Sequence, residues 1–293
     1  MPTMANKYKQ LRFLAEEDQI YDPKNRESGR EHTVKIYTKE TLIEELQKIR
    51  DSGWILGARH GNAGSVGNTL EDLLGIEENN LPIPNASEWE LKCQRAKTTS
   101  LVTLFHMEPS PRAIKFVPLV FLPNYGWSHK EAGTKYSTEE MSFRQTISGS
   151  TRSDCGFILI VDWDNSKLLV SFDANTVNPR HETWLRIVET LMGLGELNPQ
   201  PYWGFEDLGH KAGTKLLNCF YVKADVKREE GKEFFRYSQI LMLQEFSLDS
   251  FLVGIEQGYV FVDFDARTGH NHGTKFRLRQ DKLPSLYASV TEI

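Results

Sequence analysis

The chain reads as a mixed α/β protein, with a central sheet flanked by helices. Two observations lead there. Short apolar runs rich in β-branched and aromatic residues alternate along the chain with stretches whose apolar residues recur at helical spacing. The composition, 39% hydrophobic and 26% charged over 293 residues, is that of an ordinary globular protein with ample core. That length suits one large domain or two lobes.

Residues 1–34 are polar and mixed in charge, with Asp22-Pro23-Lys24-Asn25-Arg26 as a turn. They read as an N-terminal extension to a domain over 35–293. A short strand, Thr33–Tyr37, comes first. Thr38 is placed to cap a helix whose apolar stripe is Leu42, Ile43, Leu46 and Ile49 and whose stop is Gly53. The glycine-rich stretch Gly57–Gly67 lacks a Gly-Lys-Ser/Thr ending, so it reads as a loop admitting a large ligand rather than a nucleotide site. Asn68–Ile76 is a short helix closed by Gly75.

Ser100–Phe105, Phe116–Leu122, Gly156–Trp163 and Lys167–Phe172 read as strands, the second demoted to an edge or bulge by Pro118. Glu182–Leu194 is a helix with Trp184, Leu185, Ile187, Val188 and Leu191 inward. Lys215–Ala224, Gln239–Leu243 and Gly258–Asp263 are further strands, and Phe246–Gln257 a further helix. Trp127, Trp163 and Trp184 belong to the core.

Composition excludes several functions. The first residues have no signal-peptide core, and no stretch approaches the roughly 20 apolar residues of a membrane span. Cys93, Cys155 and Cys219 lie far apart without a C-x-x-C pair, which argues against a zinc ribbon or disulfide scaffold and for a reduced, cytoplasmic setting. A net charge of −5 does not announce a nucleic-acid binder. Charge is segregated, however: Arg267, Lys275, Arg277, Arg279 and Lys282 face only Asp281, with His270 and His272 among them. That basic edge could meet phosphates or be a solvated strand.

Chemistry concentrates at Trp89-Glu90-Leu91-Lys92-Cys93. Strand alternation puts Glu90 and Lys92 on one face, where a carboxylate and an ammonium can hold Mg²⁺ and ready a water for attack on phosphate. Alone, E-x-K says little, because exposed strands often carry such a pair. A sequence echo recurs at His129–Lys135, His210–Lys215 and His270–Lys275, and reads as a glycine turn presenting a lysine (Lys211 and Lys215 in the second copy) to phosphate. Asp263 and Asp265 read as orienting partners for arginines. His270 and His272 lack further ligands for zinc.

Taken together, Gly61–Asn80, Pro84–Lys92 and Val262–Arg277 resemble the MvaI/BcnI family of type II restriction endonucleases. That family is similar in turn to the mismatch-repair nickase MutH and belongs to the PD-(D/E)XK nuclease superfamily. The resemblance implies a PD-(D/E)XK fold with two lobes around a DNA-binding cleft. It implies Mg²⁺-dependent hydrolysis of double-stranded DNA at a short CC-x-GG type site, by a monomer nicking each strand in turn. A cognate methyltransferase would be its genetic partner.

By position, Glu71, Asn85 and Glu90 match the metal-binding residues and Lys92 the catalytic lysine. Arg267, His270, His272, Lys275, Arg277 and Arg279 lie in or beside the segment that resembles the family's base-reading region. His106 is open between core packing and contact with the central base pair. Asn85 departs from the family's aspartate, removing a negative charge and weakening the expected hold on Mg²⁺, with Glu88 the nearest spare carboxylate. A MutH-like strand-nicking enzyme, or a sequence-specific DNA-binding protein without catalysis, is the alternative.

Overall fold

The computed structural model describes residues 37–57, 64–76 and 89–293. The expected strand Thr33–Tyr37, most of the glycine-rich loop, Asn85 and Glu88 lie outside them. Thr38 caps helix α1 (Lys39–Asp51) through reciprocal capping-box bonds with Thr41, and Leu42, Leu46 and Ile49 are buried as the stripe requires. Gly53, at φ +74°, turns the chain into strand β1 (Ile55–Leu56).

Helix α2 (Ser65–Leu74) starts three residues earlier than expected. Val66, Leu70 and Leu74 bury one face, so packing extends the helix across Gly67, which propensity alone would leave in the loop. Gly75 closes it in the left-handed conformation. Strands β2 (Trp89–Arg95) and β3 (Val102–His106) follow as expected.

The strand expected over Phe116–Leu122 is absent. Val117–Phe121 is a π-helical turn running into helix α3 (Leu122–Tyr125), with Pro118 in its first turn. Proline fits there because those N–H groups have no intrahelical partner. Phe116, Val117, Phe121, Leu122 and Tyr125 are all buried, a helical recurrence that resembles a strand only over a short window.

Next come β4 (Trp127–Ser128), β5 (Met141–Ile147), β6 (Phe157–Asp162), β7 (Lys167–Phe172) and helix α4 (Glu182–Met192). Val188 of α4 is buried, but Ile187 and Leu191 are 55% and 51% exposed, against the inward placement expected for them. Trp163 is likewise exposed at 45%, its indole N–H donating to Glu256, so it is not core.

Strand β8 (Tyr202–Gly204) leads into helix α5 (Phe205–Leu216), which the sequence reading missed. Gly209 and Gly213 suggested a turn, yet Leu208, Ala212 and Leu216 bury one helical face. Lys215 therefore ends a helix instead of opening a strand. The three-fold sequence echo is thus not one device: its copies form a turn, part of a helix and a hairpin segment.

The chain ends with β9 (Asn218–Glu229), β10 (Lys232–Phe246), α6 (Leu248–Glu256), β11 (Val260–Arg267), β12 (His270–Asn271), β13 (Lys275–Leu278) and β14 (Tyr287–Glu292). Among the described residues no helix is long and apolar enough to cross a membrane.

Instead of one central sheet there are three. The first runs β1-β10-β9-β2 with β14 on β10, the second β3-β13-β11-β5-β4 with β12 on β11, the third β6-β7-β8. The first is mixed, because β2 lies parallel to β9 with Glu90 opposite Cys219. Helices α1 and α2 cover it through Leu42, Leu46, Val66 and Leu70 against Trp89, Phe220 and Phe235. A larger core joins the other sheets around Phe121, whose ring lies 5.1 Å from Phe143 and 5.3 Å from Phe264. Phe121→Ala should destabilise the protein by about 3–5 kcal/mol, the range for emptying a fully packed aromatic site, read as a lowered midpoint in urea unfolding.

Candidate active site

Pleating of β2 turns Glu90 and Lys92 to one side, as their spacing requires. The Lys92 ammonium donates to Glu90 Oε1 at 2.5 Å, and the Lys215 ammonium, brought in by the end of α5, lies 3.8 Å from the same oxygen. Glu90 is only 2% exposed. Its other oxygen, Oε2, is buried and has no hydrogen-bond partner among the described residues. A buried carboxylate oxygen left unpaired is costly unless a donor or cation reaches it from the adjoining space.

Burial pushes the Lys215 pKa down; Glu90 opposes that, while Lys92 and Lys211 add to it. Glu71, on α2, is near enough for its charge to raise the Cys93 thiol further, after the larger effect of burial. Beneath Glu90 the Cys219 thiol is pushed up to about 12, chiefly by burial. Both thiols therefore stay protonated and unreactive.

A second constellation, unforeseen from sequence, ties α2 to β2. Arg95 donates through both terminal nitrogens to Glu233 of β10 at 3.0 and 2.9 Å, and from Nη2 to Ser65 Oγ at 3.2 Å. Arg228 adds two bonds to the same carboxylate, at 3.0 and 2.8 Å. These arginines hold the Glu233 carboxyl at a pKa of about 2, Arg95 being the larger cause. The elements carrying Glu71 and Glu90 are thereby clasped together. An Arg-Glu pair separated by 138 residues leaves no local sequence signal.

The second sheet turns one polar face outward. Thr103, Lys275, Arg277, Asp263, Asp265, Arg267, Arg144 and Thr146 alternate with buried Leu104, Phe276, Val262, Phe264 and Phe143. Asp263 accepts from Arg277 and Thr146, and Asp265 pairs with Arg144 and Lys275, so the two aspartates act as orienting partners, as expected. A cleft of about 360 Å³ is lined by Lys92, Gln94 and Arg95 on one side and by Thr103 and Arg277 on the other. It brings the E-x-K strand and the basic C-terminal strand together.

His106 is exposed at the end of β3. Partial burial, then Lys275, Lys215, Lys211 and Lys92, lower its pKa. Its exposure is at odds with core packing, and the charges of those four ammoniums reach it. Arg267 bonds Glu140 at 2.9 Å and lies over the Tyr136 ring. His270 and His272, in edge-to-face contact, are exposed in the following hairpin, and Arg279 lies over Phe261; none of these four lines the cleft. Among the described residues no group of three or more His, Cys, Asp or Glu is arranged to hold a metal ion. Of the expected ligands, Glu71 and Glu90 are described and Asn85 is not. Arg144, Glu140 and Tyr136 of this face carry no motif and were missed.

A profile of the MvaI/BcnI restriction endonuclease family matches residues 43–287. Among solved structures, the chain is similar to a restriction endonuclease MvaI–cognate DNA substrate complex, with 24% identity, a TM-score of 0.69, and 87% of this chain and 99% of that one covered. It is also similar to restriction endonuclease MvaI in the absence of DNA, at 21% identity and a TM-score of 0.50, over 89% of this chain and all of that one. No curated protein sequence matches the chain.

The clasp has a pH signature. A carboxyl whose pKa falls from 4.5 to about 2 on folding contributes stability that is whole above 4.5 and lost as pH drops through 2. Glu233→Gln should therefore be less stable than the parent by about 1–3 kcal/mol at pH 7, with the gap closing toward pH 2. Urea unfolding at neutral and acid pH measures it, and a gap independent of pH would show that the pairing contributes nothing.

Proposed function

This chain belongs to the MvaI/BcnI restriction endonuclease family, and from that premise we propose that it hydrolyses double-stranded DNA at a short CC-x-GG type site. We assign it the PD-(D/E)XK fold, with the first sheet as catalytic lobe and the second as reading lobe. The observation that carries this reading is the contact of Lys92, which lines a cleft opposite Arg277, with Glu90, whose buried Oε2 has no partner among the described residues.

That unpaired Glu90 oxygen fits a hard divalent cation, whose remaining protein oxygens would come from Glu71 and position 85. When bound there, Mg²⁺ supplies charge against the developing phosphorane and lowers the pKa of a water. Lys92, held in place by Glu90, hydrogen-bonds that water and orients it toward phosphorus. Lys215 and Lys211 offer ammoniums to the non-bridging phosphate oxygens, in a setting dry enough to depress Lys215. As the water oxygen bonds to phosphorus it gives up a proton to solvent, and the opposite sugar oxygen leaves with the bonding pair and takes a proton from solvent water.

Lys275 continues this positive floor under the duplex, with His106 beside it as a neutral hydrogen-bonding ring, and Arg267, His270, His272, Arg277 and Arg279 belong to the reading lobe. The chain works as a cytoplasmic monomer, one strand at a time, paired genetically with a methyltransferase. Residues 1–34 are an extension outside the catalytic domain. Cutting by purified protein without helpers separates this from MutH-like nicking, and the Arg267–Arg277 segment favours the restriction branch. Asn85, neutral where the family has an aspartate, favours a second reading: a site-specific binder with impaired cleavage.

Digestion of a plasmid of known sequence, with end mapping, tests both. Asn85→Asp should raise Mg²⁺-dependent cutting at one short site, chelation should stop it, and Lys92→Ala in that background should lower it by about 10²–10⁴-fold. A variant that binds varied duplexes and never cuts them ends the enzyme reading. Lys275→Ala should weaken binding to every duplex alike and reduce the slope of log K against log[salt] by about 0.9. Filter binding over a salt series measures it; loss at one sequence only would make Lys275 a base reader.

A further inference from the structure

The arginines of the polar face are not equally free to meet a ligand. Arg277 is consumed by the protein: Nη1 donates to Asp263 at 3.0 Å, Nη2 to the Leu101 carbonyl at 3.0 Å, and Nε is buried. Its fork therefore braces the segment that leads from β2 to β3. Arg267 gives Nη1 to Glu140 and lays its guanidinium over Tyr136 at 4.7 Å, with a side chain 29% exposed.

Arg144 differs. It stands on β5 opposite Asp265, on the same face as Arg277 and Lys275, with its side chain 49% exposed. Its Nε lies 2.8 Å from Asp265 Oδ1. Among the described residues its two terminal nitrogens have no hydrogen-bond partner.

A half-exposed guanidinium in an ion pair at Nε, close to the carboxylate though not in hydrogen-bond geometry with it, keeps terminal nitrogens that can match the paired acceptors O6 and N7 on the major-groove edge of guanine. The carboxylate paired with it also lies 3.5 Å from Lys275, so β5 and β13 share one anchor on β11. An exposed ion pair alone adds little stability, so a fold requirement explains the arrangement poorly.

We propose that Arg144 is a specificity-determining residue that reads one guanine of the target, with Asp265 as its positioning residue. The proposal rests on the reading of this chain as a site-specific DNA-binding endonuclease. The bland alternatives are an ordinary surface ion pair and a contact to phosphate.

The full chain, Arg144→Ala and Asp265→Asn are each used to select duplexes from a pool with a randomised centre, in Ca²⁺ to allow binding. The parent should enrich one short site. Arg144→Ala should enrich the same site with a single guanine position relaxed, and bind the parent site about 10- to 100-fold more weakly. Affinity for unrelated duplexes and the melting curve should stay as in the parent. Asp265→Asn should relax that same position to a lesser degree.

Unchanged preference at every position overturns the proposal and leaves the endonuclease reading standing. Equal loss on all duplexes makes Arg144 a phosphate contact and also overturns it. A parent chain that enriches no sequence sinks the underlying reading and the proposal with it.

Discussion

A carboxylate taken out of water must be matched by positive charge, and Glu90 is the place where this fold meets that demand. Desolvating such a group costs several kcal/mol even after relaxation. Two ammoniums answer it from different parts of the chain: Lys92 from the same strand and Lys215 from the end of α5. The first is guaranteed by pleating. The second requires α5 to pass within reach of β2, and its Gly209 lets it approach Leu248 of α6 at a distance where an added Cβ would be tight. The parallel pairing of β2 with β9 also requires a long crossover. That crossover holds the third sheet and strands β3, β4 and β5 of the second, while β11, β12 and β13, which complete the second sheet's polar face, come after β9.

Acidic residues explain how a chain of net charge −5 can present cations to a polyanion. Asp263, Asp265, Glu140 and Glu233 lie behind arginines and lysines and fix their direction. Each such pair is weak as a stability device where it is exposed. As an orienting device it is stronger, because a guanidinium held by a carboxylate loses less freedom when it meets a ligand. Overall charge is therefore a poor guide to what this surface binds.

Much of this was legible in sequence where the signal is local. The Thr38 cap, the Gly75 stop and the alternation of Glu90 with Lys92 depend on neighbours a few positions away, and Asp263 and Asp265 meet Arg277 and Lys275 across a single hairpin. The misses have the opposite character. The Phe116–Leu122 run was read as a strand because an apolar stretch does not reveal its period over so few residues. Helix α5 was missed because two glycines outweigh three buried apolar positions on any propensity scale, while packing decides the outcome. The Arg95–Glu233 clasp and the freedom of Arg144 depend on β-pairings between distant segments. Ile187 and Leu191 follow helical spacing faithfully and still face outward, since periodicity identifies a stripe but not what covers it.

The balance of charge at the cleft bears on how binding and cutting are divided. Lys275, Lys215, Lys211 and Lys92 all act on His106. A phosphate is drawn to such a floor whatever stands at position 85, because its attraction sums over the ammoniums. A divalent cation is repelled by those same ammoniums, so its hold depends on the few acidic oxygens that face it. Each one lost then matters more than it would in an acidic pocket. On the proposed reading, the neutral amide of Asn85 would leave phosphate attraction intact and would lack the charge that the family's aspartate offers a cation. On that reading, Lys92 serves both duplex binding and hydrolysis, but only hydrolysis would also need the cation, so a single neutral residue at position 85 would weaken hydrolysis more than binding.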